Sequence, residues 1–376
     1  MKLSAALTIL GGYDCSSWTY RPDAKSIVRP TLPGPALEVS ATGRAIISDL
    51  EFQAPSGSSA FVSSIAAFVK RSDKLSLRRV TLIASKGAQG VNGNAGANGS
   101  LSSSTPVAGT LNGSPGTSTE GGKAQACTCS NGGTSKGGRG GDPGGANIDG
   151  EAGTSPQAIE DPVGANGAGS TRAACETTST PGTPGSNAAN GIDGNGATDF
   201  GVVSDSGWQP QPGKIGGAGP AGQGGGGGGG DGGSGGGGSG ACGGCGGHGG
   251  EPGAGGGASI ALVAFESPVE LIECKLVADQ GGAGGTGGAG GGPMTGGTRS
   301  GLTGGGCRGG NGGNGGKGGT GGGGAGGLSA GIAYRGAKPT VNATFTKGTK
   351  GAKGVGGTQG KNDGFEGDPV EIFESK

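Results

Sequence analysis

The stretch Gly87-Ala88-Gln89-Gly90-Val91-Asn92-Gly93-Asn94-Ala95-Gly96-Ala97-Asn98-Gly99 decides the fold, because glycine recurs in it at every third position. Three residues make one turn of a polyproline-II helix, and glycine has no Cβ to keep neighbouring helices apart. The period continues as Gly-Gly-X in 281–288 and 309–319, and as single-glycine triplets in 348–360. The sequence therefore predicts polyglycine-II segments that pack side by side.

The composition excludes one large hydrophobic core. Of 376 residues, 103 are glycine, while 30% are hydrophobic and 3% aromatic. Backbone hydrogen bonds must therefore stabilise most of the chain. Lysine plus arginine equals aspartate plus glutamate at 27 each, so no basic surface predicts a nucleic acid or an anionic membrane as a partner. No stretch of the sequence is long and apolar enough to span a bilayer.

Short apolar islands between the glycine segments share one pattern. When the islands are aligned on the glycine that follows each of them (Gly57, Gly87, Gly281 and Gly348), apolar residues recur two apart, as in a strand with one buried face. The three apolar columns hold Leu50, Val80, Cys274 and Val341; Phe52, Leu82, Leu276 and Ala343; and Ala54, Ala84, Ala278 and Phe345. A polar column expected to face water holds Glu51, Thr81, Lys275 and Asn342. An acid-base-acid ladder on the outside is expected from Asp49, Arg79 and Glu273.

These repeated units predict an all-β fold. Each unit of two or three short strands is too small to bury its apolar face alone, so the units must stack as a parallel β-helix, or solenoid. The glycine segments all leave from the same point of the unit and are expected to form a laterally packed polyglycine-II bundle. Residues 3–10 are expected to form one strand, and residues 101–208 a loop-rich insertion.

The expected organisation has five parts. The first β-helix coils lie in residues 1–86, and a glycine-rich excursion with a cysteine-containing loop insertion and the polyglycine-II bundle lies in 87–257. A further coil follows in 258–280 and a Gly-Gly-X excursion in 281–327. The last coil, a short glycine-triplet excursion and a C-terminal strand occupy 328–376.

Most of the eight cysteines are interpreted as disulfide partners. Cross-links stabilise a chain most where it lacks a hydrophobic core, and they indicate an oxidising, extracytoplasmic compartment. The candidates are Cys127, Cys129, Cys175, Cys242, Cys245 and Cys307, with Cys307 considered as a partner for the Cys242 and Cys245 segment. Cys274 aligns with Leu50 and Val80 and is expected to be a buried core thiol.

Two metal-binding alternatives stay open beside the disulfide interpretation. Cys242-Gly-Gly-Cys245-Gly-Gly-His248 offers two thiolates and an imidazole, three of the four ligands of a tetrahedral zinc site. The acidic glycine segments 190–196 and 363–368 have calcium-type oxygen ligands, but neither completes a known calcium loop, and ordinary turns are favoured. Disulfide bonds and turns are favoured over both alternatives, so no metal-binding, cofactor-binding or catalytic residue is predicted.

The segment Ile9-Leu10-Gly11-Gly12-Tyr13-Asp14-Cys15-Ser16-Ser17-Trp18, with the strands at 44–54 and 75–84, resembles glycine-rich β-helix surface proteins of myxobacterial type. The resemblance extends to 306–311 and 328–332 and covers most of the chain. It implies a right-handed parallel β-helix, secreted or displayed at the cell surface, without an established activity. Further coils usually precede the Gly-Gly-aromatic-Asp segment in such proteins, so this chain is a short member or lacks upstream coils. By composition and triplet period, the chain is also similar to springtail antifreeze proteins and to glycine-rich phage tail-fibre tips.

We expect a non-enzymatic, extracellular structural or adhesive protein. His248 is the only histidine, and the outward column holds one acid, so neither nucleophilic catalysis nor paired-carboxylate chemistry has its residues in place. Strand-like ends predict head-to-tail association into a homo-oligomer, fibre or matrix. The alternative is a module that binds a cell-surface glycan or ice with the flat face of the glycine bundle. Ice would favour a row of Thr or Ala, whereas 309–319 offers Asn311, Asn314 and Lys317.

Overall fold

The computed structural model describes residues 1–376 except 22, 103–109, 145, 155–166, 234 and 301–303, and only the backbone of 41 and 42. The strands are β1 (Lys2–Ala5), β2 (Thr8–Leu10), β3 (Ser26–Val28), β4 (Leu37–Thr42), β5 (Arg44–Ser48), β6 (Leu50–Gln53), β7 (Ser64–Lys70), β8 (Lys74–Arg78), β9 (Thr81–Ile83), β10 (Ala126–Thr128), β11 (Thr134–Lys136), β12 (Gly201–Ser204), β13 (Gly207–Pro210), β14 (Ser259–Phe265), β15 (Val269–Val277), β16 (Ser329–Arg335), β17 (Thr340–Thr346) and β18 (Pro369–Glu374). The helix among the described residues is α1 (Arg172–Thr178). The fold is therefore all-β in character.

Two parallel sheets are built by successive passes of the chain. The first sheet has the order β1-β4-β7-β14-β16-β18, and all its neighbours are parallel. The second sheet contains β2, β5, β8, β15 and β17, with β3, β6 and β9 continuing the earlier passes. The long strand β15 pairs with β8 along its first half and with β9 along its second half. Each of five passes thus adds one strand to the first sheet and then one or two to the second, and β18 adds the sixth strand of the first sheet.

Like residues stack in ladders inside the molecule. One ladder of the second sheet contains Ile9, Ile47, Leu77, Leu271 and Val341. A second contains Val28, Phe52, Leu82, Leu276 and Phe345. The central members are fully buried, whereas Ile9 and Val28 at one end and Val341 and Phe345 at the other are only partly buried. The apolar alternation of the sequence therefore produces the main core, and this core is open at both ends.

The expected register is wrong for the last pass by two residues. Leu276 pairs with Phe345 and Cys274 with Ala343, so Val341 and Asn342 lie beside Leu271 and Ile272 instead. Serine hydroxyls at the starts of β7, β14 and β16 give the correct alignment, because they accept the N–H groups of Ser85, Asp279 and Gly348, respectively. Gly348 thus corresponds to Asp279, and exposed Lys350 takes the place of Gly281. Alignment on the first glycine gives the wrong register here, because the outermost segment does not require glycine at position 350.

Three further expectations need correction. Residues 3–10 form two strands, β1 and β2, because they belong to different sheets. Asp49, expected on the outside, is 2% exposed and binds Arg79, while Glu273 is exposed and has no ion pair among the described residues. These three residues share a left-handed backbone, with φ between 51° and 59°, at the bend between the two halves of each pass. Thr81 is also buried, and it accepts a hydrogen bond from Lys25.

A second hydrophobic cluster lies on the outer face of the first sheet. The antiparallel hairpin β12–β13 places Val203 and Trp208 against residues of β7, β14 and β16. Phe373 of β18 makes an edge-to-face contact with Trp208, with 5.6 Å between ring centroids. The insertion predicted as loops therefore contains a packed hairpin, together with α1 and the small sheet β10–β11. These elements have only three to seven residues each, which is too short for a recognisable periodic pattern in the sequence.

Candidate functional site

The glycine segments hydrogen-bond to one another at every third residue. The backbone N–H groups of Gly87, Gly90, Gly93, Gly96 and Gly99 donate to carbonyl oxygens at distances of 2.8–2.9 Å. The acceptors, in the same order, are Gln280, Ala283, Thr286, Ala289 and Gly292. We call the hydrogen-bonded set of segments 87–99, 182–197, 213–230, 236–257, 281–297, 307–327 and 348–357 the glycine lattice. Its backbone polar groups are paired between segments, as burial requires.

Three neighbouring segments form one outer layer of the lattice. Segment 281–297 runs parallel to 87–99 on one side and to 348–357 on the other. Segments 242–257 and 309–327 run antiparallel behind it, with bonds such as Gly288 N–H to the Glu251 carbonyl and Gly321 N–H to the Gly288 carbonyl. This arrangement is a sheet-like layer of extended segments backed by a second layer.

Close backbone approach explains why glycine fills the lattice positions. A Cβ built at Gly290 would overlap the carbonyl oxygen of Gly318, and one at Gly316 would overlap that of Ala189. Because the clash is with backbone rather than with a movable side chain, neighbouring segments would have to separate to accept alanine. The glycine period is therefore a packing requirement.

Three disulfides join the insertion to the lattice. They link Cys127 to Cys242, Cys129 to Cys245 and Cys175 to Cys307. All six candidate cysteines are thus paired, but Cys307 bonds to Cys175 and not to the Cys242 segment. Cys127 and Cys129 are two residues apart at β10, and Cys242 and Cys245 are three apart in the lattice, so each pair presents its sulfurs along one edge. The spacings Cys-X-Cys and Cys-X-X-Cys match two different backbone periods.

The zinc alternative loses two ligands to these bonds, since Cys242 and Cys245 are both oxidised. His248 instead lies with Nε2 3.2 Å from the Ser130 hydroxyl, which also receives a hydrogen bond from Ser100. Among the described residues, no carboxylate is hydrogen-bonded to this imidazole. The contact therefore lacks the third group that orients a nucleophile and base in hydrolases.

The two remaining cysteines are free. Cys274 is 3% exposed, lies among the core side chains, and its thiol points to the Leu77 carbonyl at 3.3 Å. Burial raises the pKa of this thiol above its ordinary value. Cys15 is exposed near the beginning of the chain. Cys274 accordingly behaves as a small core residue.

Asparagine and aspartate side chains accept hydrogen bonds from backbone N–H groups at the surface of the glycine lattice. The sequence analysis did not predict this role. The side-chain oxygens of Asn187, Asn190 and Asp193 accept the N–H groups of Asn314, Lys317 and Thr320 at 2.7–3.0 Å. Asn92 and Asn98 serve Thr286 and Gly292 in the same way. In the sequence, only the three-residue spacing of Asn187, Asn190 and Asp193 indicates this role. Each oxygen replaces the carbonyl of a neighbouring segment for an outward-facing N–H.

In the two acidic segments considered for calcium, Asp193 and Asp363 bind groups of the protein itself. Hydrogen bonds from the Thr320 N–H and hydroxyl lower the pKa of Asp193. Asp363 binds Lys353 at 3.0 Å and accepts the Gly356 N–H, and these contacts lower its pKa. Within the described part of the chain, no group of three or more His, Cys, Asp or Glu side chains is placed to hold a metal ion.

Comparison of the chain with protein-family models, with curated proteins and with solved structures found no match. Helix α1, the one helix among the described residues, has seven residues and lacks the length and apolar character needed to cross a membrane. Three disulfides are typical of proteins from oxidising compartments. The function must therefore be argued from the geometry.

Proposed function

We propose that this chain is a non-enzymatic, extracellular structural or adhesive protein, built as a parallel β-helix with a polyglycine-II bundle on its side. The lattice supports the proposal most directly: its segments are held by backbone hydrogen bonds and its insertion by three disulfides. Such a body is rigid without a large side-chain core, and it tolerates the oxidising surroundings of a cell surface. A secreted or surface-displayed location follows from the same cysteine usage.

The structural role includes self-association through the two sheet edges. β1 and β18 are the edge strands of the first sheet, and a row of unpaired N–H and C=O groups at an edge is a template for another strand. Val341, Ala343 and Phe345 lie partly exposed at the same end as β18. Contact of this end with the β1 end of a second copy would be head-to-tail and would not close into a ring.

One feature of the edges weakens this contact. The interior ladder of the first sheet contains Leu3, Val39, Val69, Ala264, Tyr334 and Glu374, so an in-register second copy would bring Leu3 against the Glu374 carboxylate. Burial of a carboxylate against an apolar side chain is unfavourable, so we expect association only at high protein concentration.

Light scattering of the oxidised protein over a concentration series, with electron microscopy of the same samples, tests the structural role. A mass that rises with concentration, with linear particles in the micrographs, is the expected result. Reduction of the disulfides serves as a control, because it should loosen the lattice without altering the β1 and β18 edges. A mass that stays monomeric at all concentrations would contradict the self-association.

A second candidate function is favoured by the outer layer of the lattice. Ala283, Thr286 and Ala289 form a row of small, outward residues at three-residue intervals, about 9.3 Å apart along an extended segment. Exposed Ala352 and Val355 belong to the neighbouring segment, whereas Asn311, Asn314 and Lys317 belong to the segment behind the layer. A flat, regular face of this kind suits ice or a crystalline glycan. Thermal hysteresis that disappears in Thr286→Lys, but not in Lys317→Thr, would favour ice.

A further inference from the structure

A groove crosses the outer face of the first sheet where the β12–β13 hairpin ends. It has two lobes of about 260 and 460 Å³. The lobes share Gly34, Pro35, Phe61, Phe68 and Ser206. We call this feature the outer groove. The hairpin packs mainly against β14 and β16, and the groove lies at its edge, over Ile65 and Phe68 of β7.

The lining of the outer groove combines apolar rings with a few charged groups. Phe61 is 51% exposed and Leu32 is 74% exposed, so the larger lobe presents apolar surface to solvent. The larger lobe ends at Glu38, whose carboxylate binds Lys70 at 3.1 Å and Lys2 at 2.9 Å. Apolar walls with a small number of polar groups are typical of small-molecule sites.

Trp208 supplies the second, independent observation. This residue lines the smaller lobe and is only 4% exposed, yet its indole Nε1 has no hydrogen-bond acceptor among the described residues. A buried donor without an acceptor destabilises the folded protein, so such groups are rare and point to a missing partner. The lobe around it combines the apolar side chains of Val62, Ile65 and Phe68 with the polar side chains of Ser63, Ser206 and Gln209. The missing partner is therefore an oxygen acceptor carried on a group that has both an apolar and a polar side.

We propose that the outer groove binds a glycan that contains N-acetylhexosamine. An acetamido group carries both required parts: its carbonyl oxygen accepts the Trp208 N–H, and its methyl group packs against the apolar wall of the smaller lobe. The apolar face of a sugar ring stacks on Phe61, the exposed ring that both lobes share, since Phe68 is only 3% exposed. Hydroxyl groups of the next sugar reach Glu38 and Lys70 in the larger lobe. The proposal rests on the adhesive side of the proposed function and names its ligand class.

Binding requires a small movement at the smaller lobe. The Trp208 nitrogen has almost no solvent-accessible surface, so an acceptor reaches it only after a lining side chain turns aside. Phe61 is the half-exposed ring at this lobe and has the room to do so. Phe61 therefore contacts the sugar and also controls access to Trp208, and its removal should alter affinity without altering the two sheets.

Tryptophan fluorescence isolates this site. The chain has two tryptophans, and Trp18 is 77% exposed whereas Trp208 is buried. A Trp18→Phe variant leaves Trp208 as the sole emitter. It is titrated with tri-N-acetylchitotriose and, separately, with cellotriose, which has the same β-1,4-linked glucose backbone without the acetamido groups. We expect a saturable change in emission with the first sugar and at least tenfold weaker binding of the second.

Variants locate the site, with calorimetry as the readout. Phe61→Ala and Trp208→Phe should each weaken binding of tri-N-acetylchitotriose at least tenfold, whereas Val202→Ala, on the exposed side of the same hairpin, should not. Equal affinity for the two sugars, no saturable binding, or full affinity in Phe61→Ala would overturn the proposal. Far-ultraviolet circular dichroism identifies any variant that fails to fold. Self-association is measured separately by light scattering, so failure of the glycan site and failure of the structural role remain distinguishable.

Discussion

The Arg79 guanidinium donates to both carboxylate oxygens of Asp49, at 2.7 and 2.8 Å. The two residues occupy equivalent left-handed positions in successive passes of the chain, and the Tyr20 hydroxyl donates to the same carboxylate at 3.1 Å. Asp49 is buried while Arg79 is partly exposed, so the bidentate pair covers the bend of the second sheet. The pair holds two adjacent passes in register.

Replacing the carboxylate should therefore destabilise the protein. Asp49→Asn keeps the shape and tolerates the left-handed backbone, but it leaves Arg79 without its counter-charge. We expect the free energy of unfolding to fall by about 2 kcal/mol at neutral pH. Urea denaturation measures it, with Asp205→Asn as the control because Asp205 is exposed. A loss below about 0.5 kcal/mol would contradict the role of the pair.

The same pair gives a pH dependence with a defined sign. The bonds from Arg79 lower the pKa of Asp49 in the folded protein below its ordinary value of 3.8. Its contribution is therefore present above pH 3.8 and is lost as the pH falls through the lower folded pKa. We expect the difference in unfolding free energy between wild type and Asp49→Asn to shrink in acid. A difference that stays constant down to pH 2 would argue against this linkage.

The strand columns and the glycine period could be predicted from the sequence because both repeat. Phe52, Leu82 and Leu276 pair as the alternation indicates, and Gly87 to Gly99 bond at every third residue. The register of the last pass could not be predicted from the sequence. Segment 348–357 faces solvent on one side, and glycine is therefore not required at every third position. The outer groove was also hidden, because it depends on where the hairpin with Trp208 packs, and that is a tertiary contact between distant segments.

Glycine at the lattice contacts should be irreplaceable even by alanine. Gly290→Ala would place a methyl group on the Gly318 carbonyl oxygen, and we expect a loss of about 3 kcal/mol in unfolding free energy. Gly233→Ala is the matched control, because a Cβ at Gly233 has nothing within 4 Å. Guanidinium denaturation of both variants measures the difference. Equal stability of the two variants would mean that the segments are not held at the observed separation.

The disulfides should stabilise the insertion by closing long loops. Cys175 and Cys307 are 132 residues apart, and the chain-entropy model gives about 5 kcal/mol for a loop of this length. The double variant Cys175→Ser, Cys307→Ser is therefore expected to unfold at clearly lower denaturant concentration. Cys15→Ser, which removes an exposed free thiol, is the control and should match the wild type. An unchanged midpoint in the double variant would refute the stabilising role.

The surface asparagines should act through their side-chain oxygen. Asn190→Ala leaves the Lys317 N–H without its acceptor, and we expect a loss of about 1 kcal/mol. Asn190→Asp keeps the oxygen and should be nearly neutral, as Asp193 already serves Thr320 in this way. Thermal unfolding of the two variants distinguishes these outcomes. If both variants lose the same stability, the amide group rather than the acceptor oxygen would be responsible.

Removing the charge at the sheet edge should strengthen self-association. Glu374→Leu continues the interior ladder with an apolar residue and abolishes the burial of a carboxylate against Leu3 of a second copy. We expect association at a concentration at least tenfold lower than for the wild type, by light scattering. Glu120→Leu adds the same apolar side chain at an exposed position outside the two sheets. An equal gain in that control would indicate nonspecific aggregation.

Because backbone contacts hold the outer layer together, the outward side chains of 281–297 contribute little to its stability. An amino acid at Ala283, Thr286 or Ala289 can change while the hydrogen bonds beneath it stay the same. Substitutions are therefore tolerated on this face, both in evolution and in protein engineering. The layer holds its outward side chains at a fixed spacing, so new binding properties can evolve there without loss of the fold.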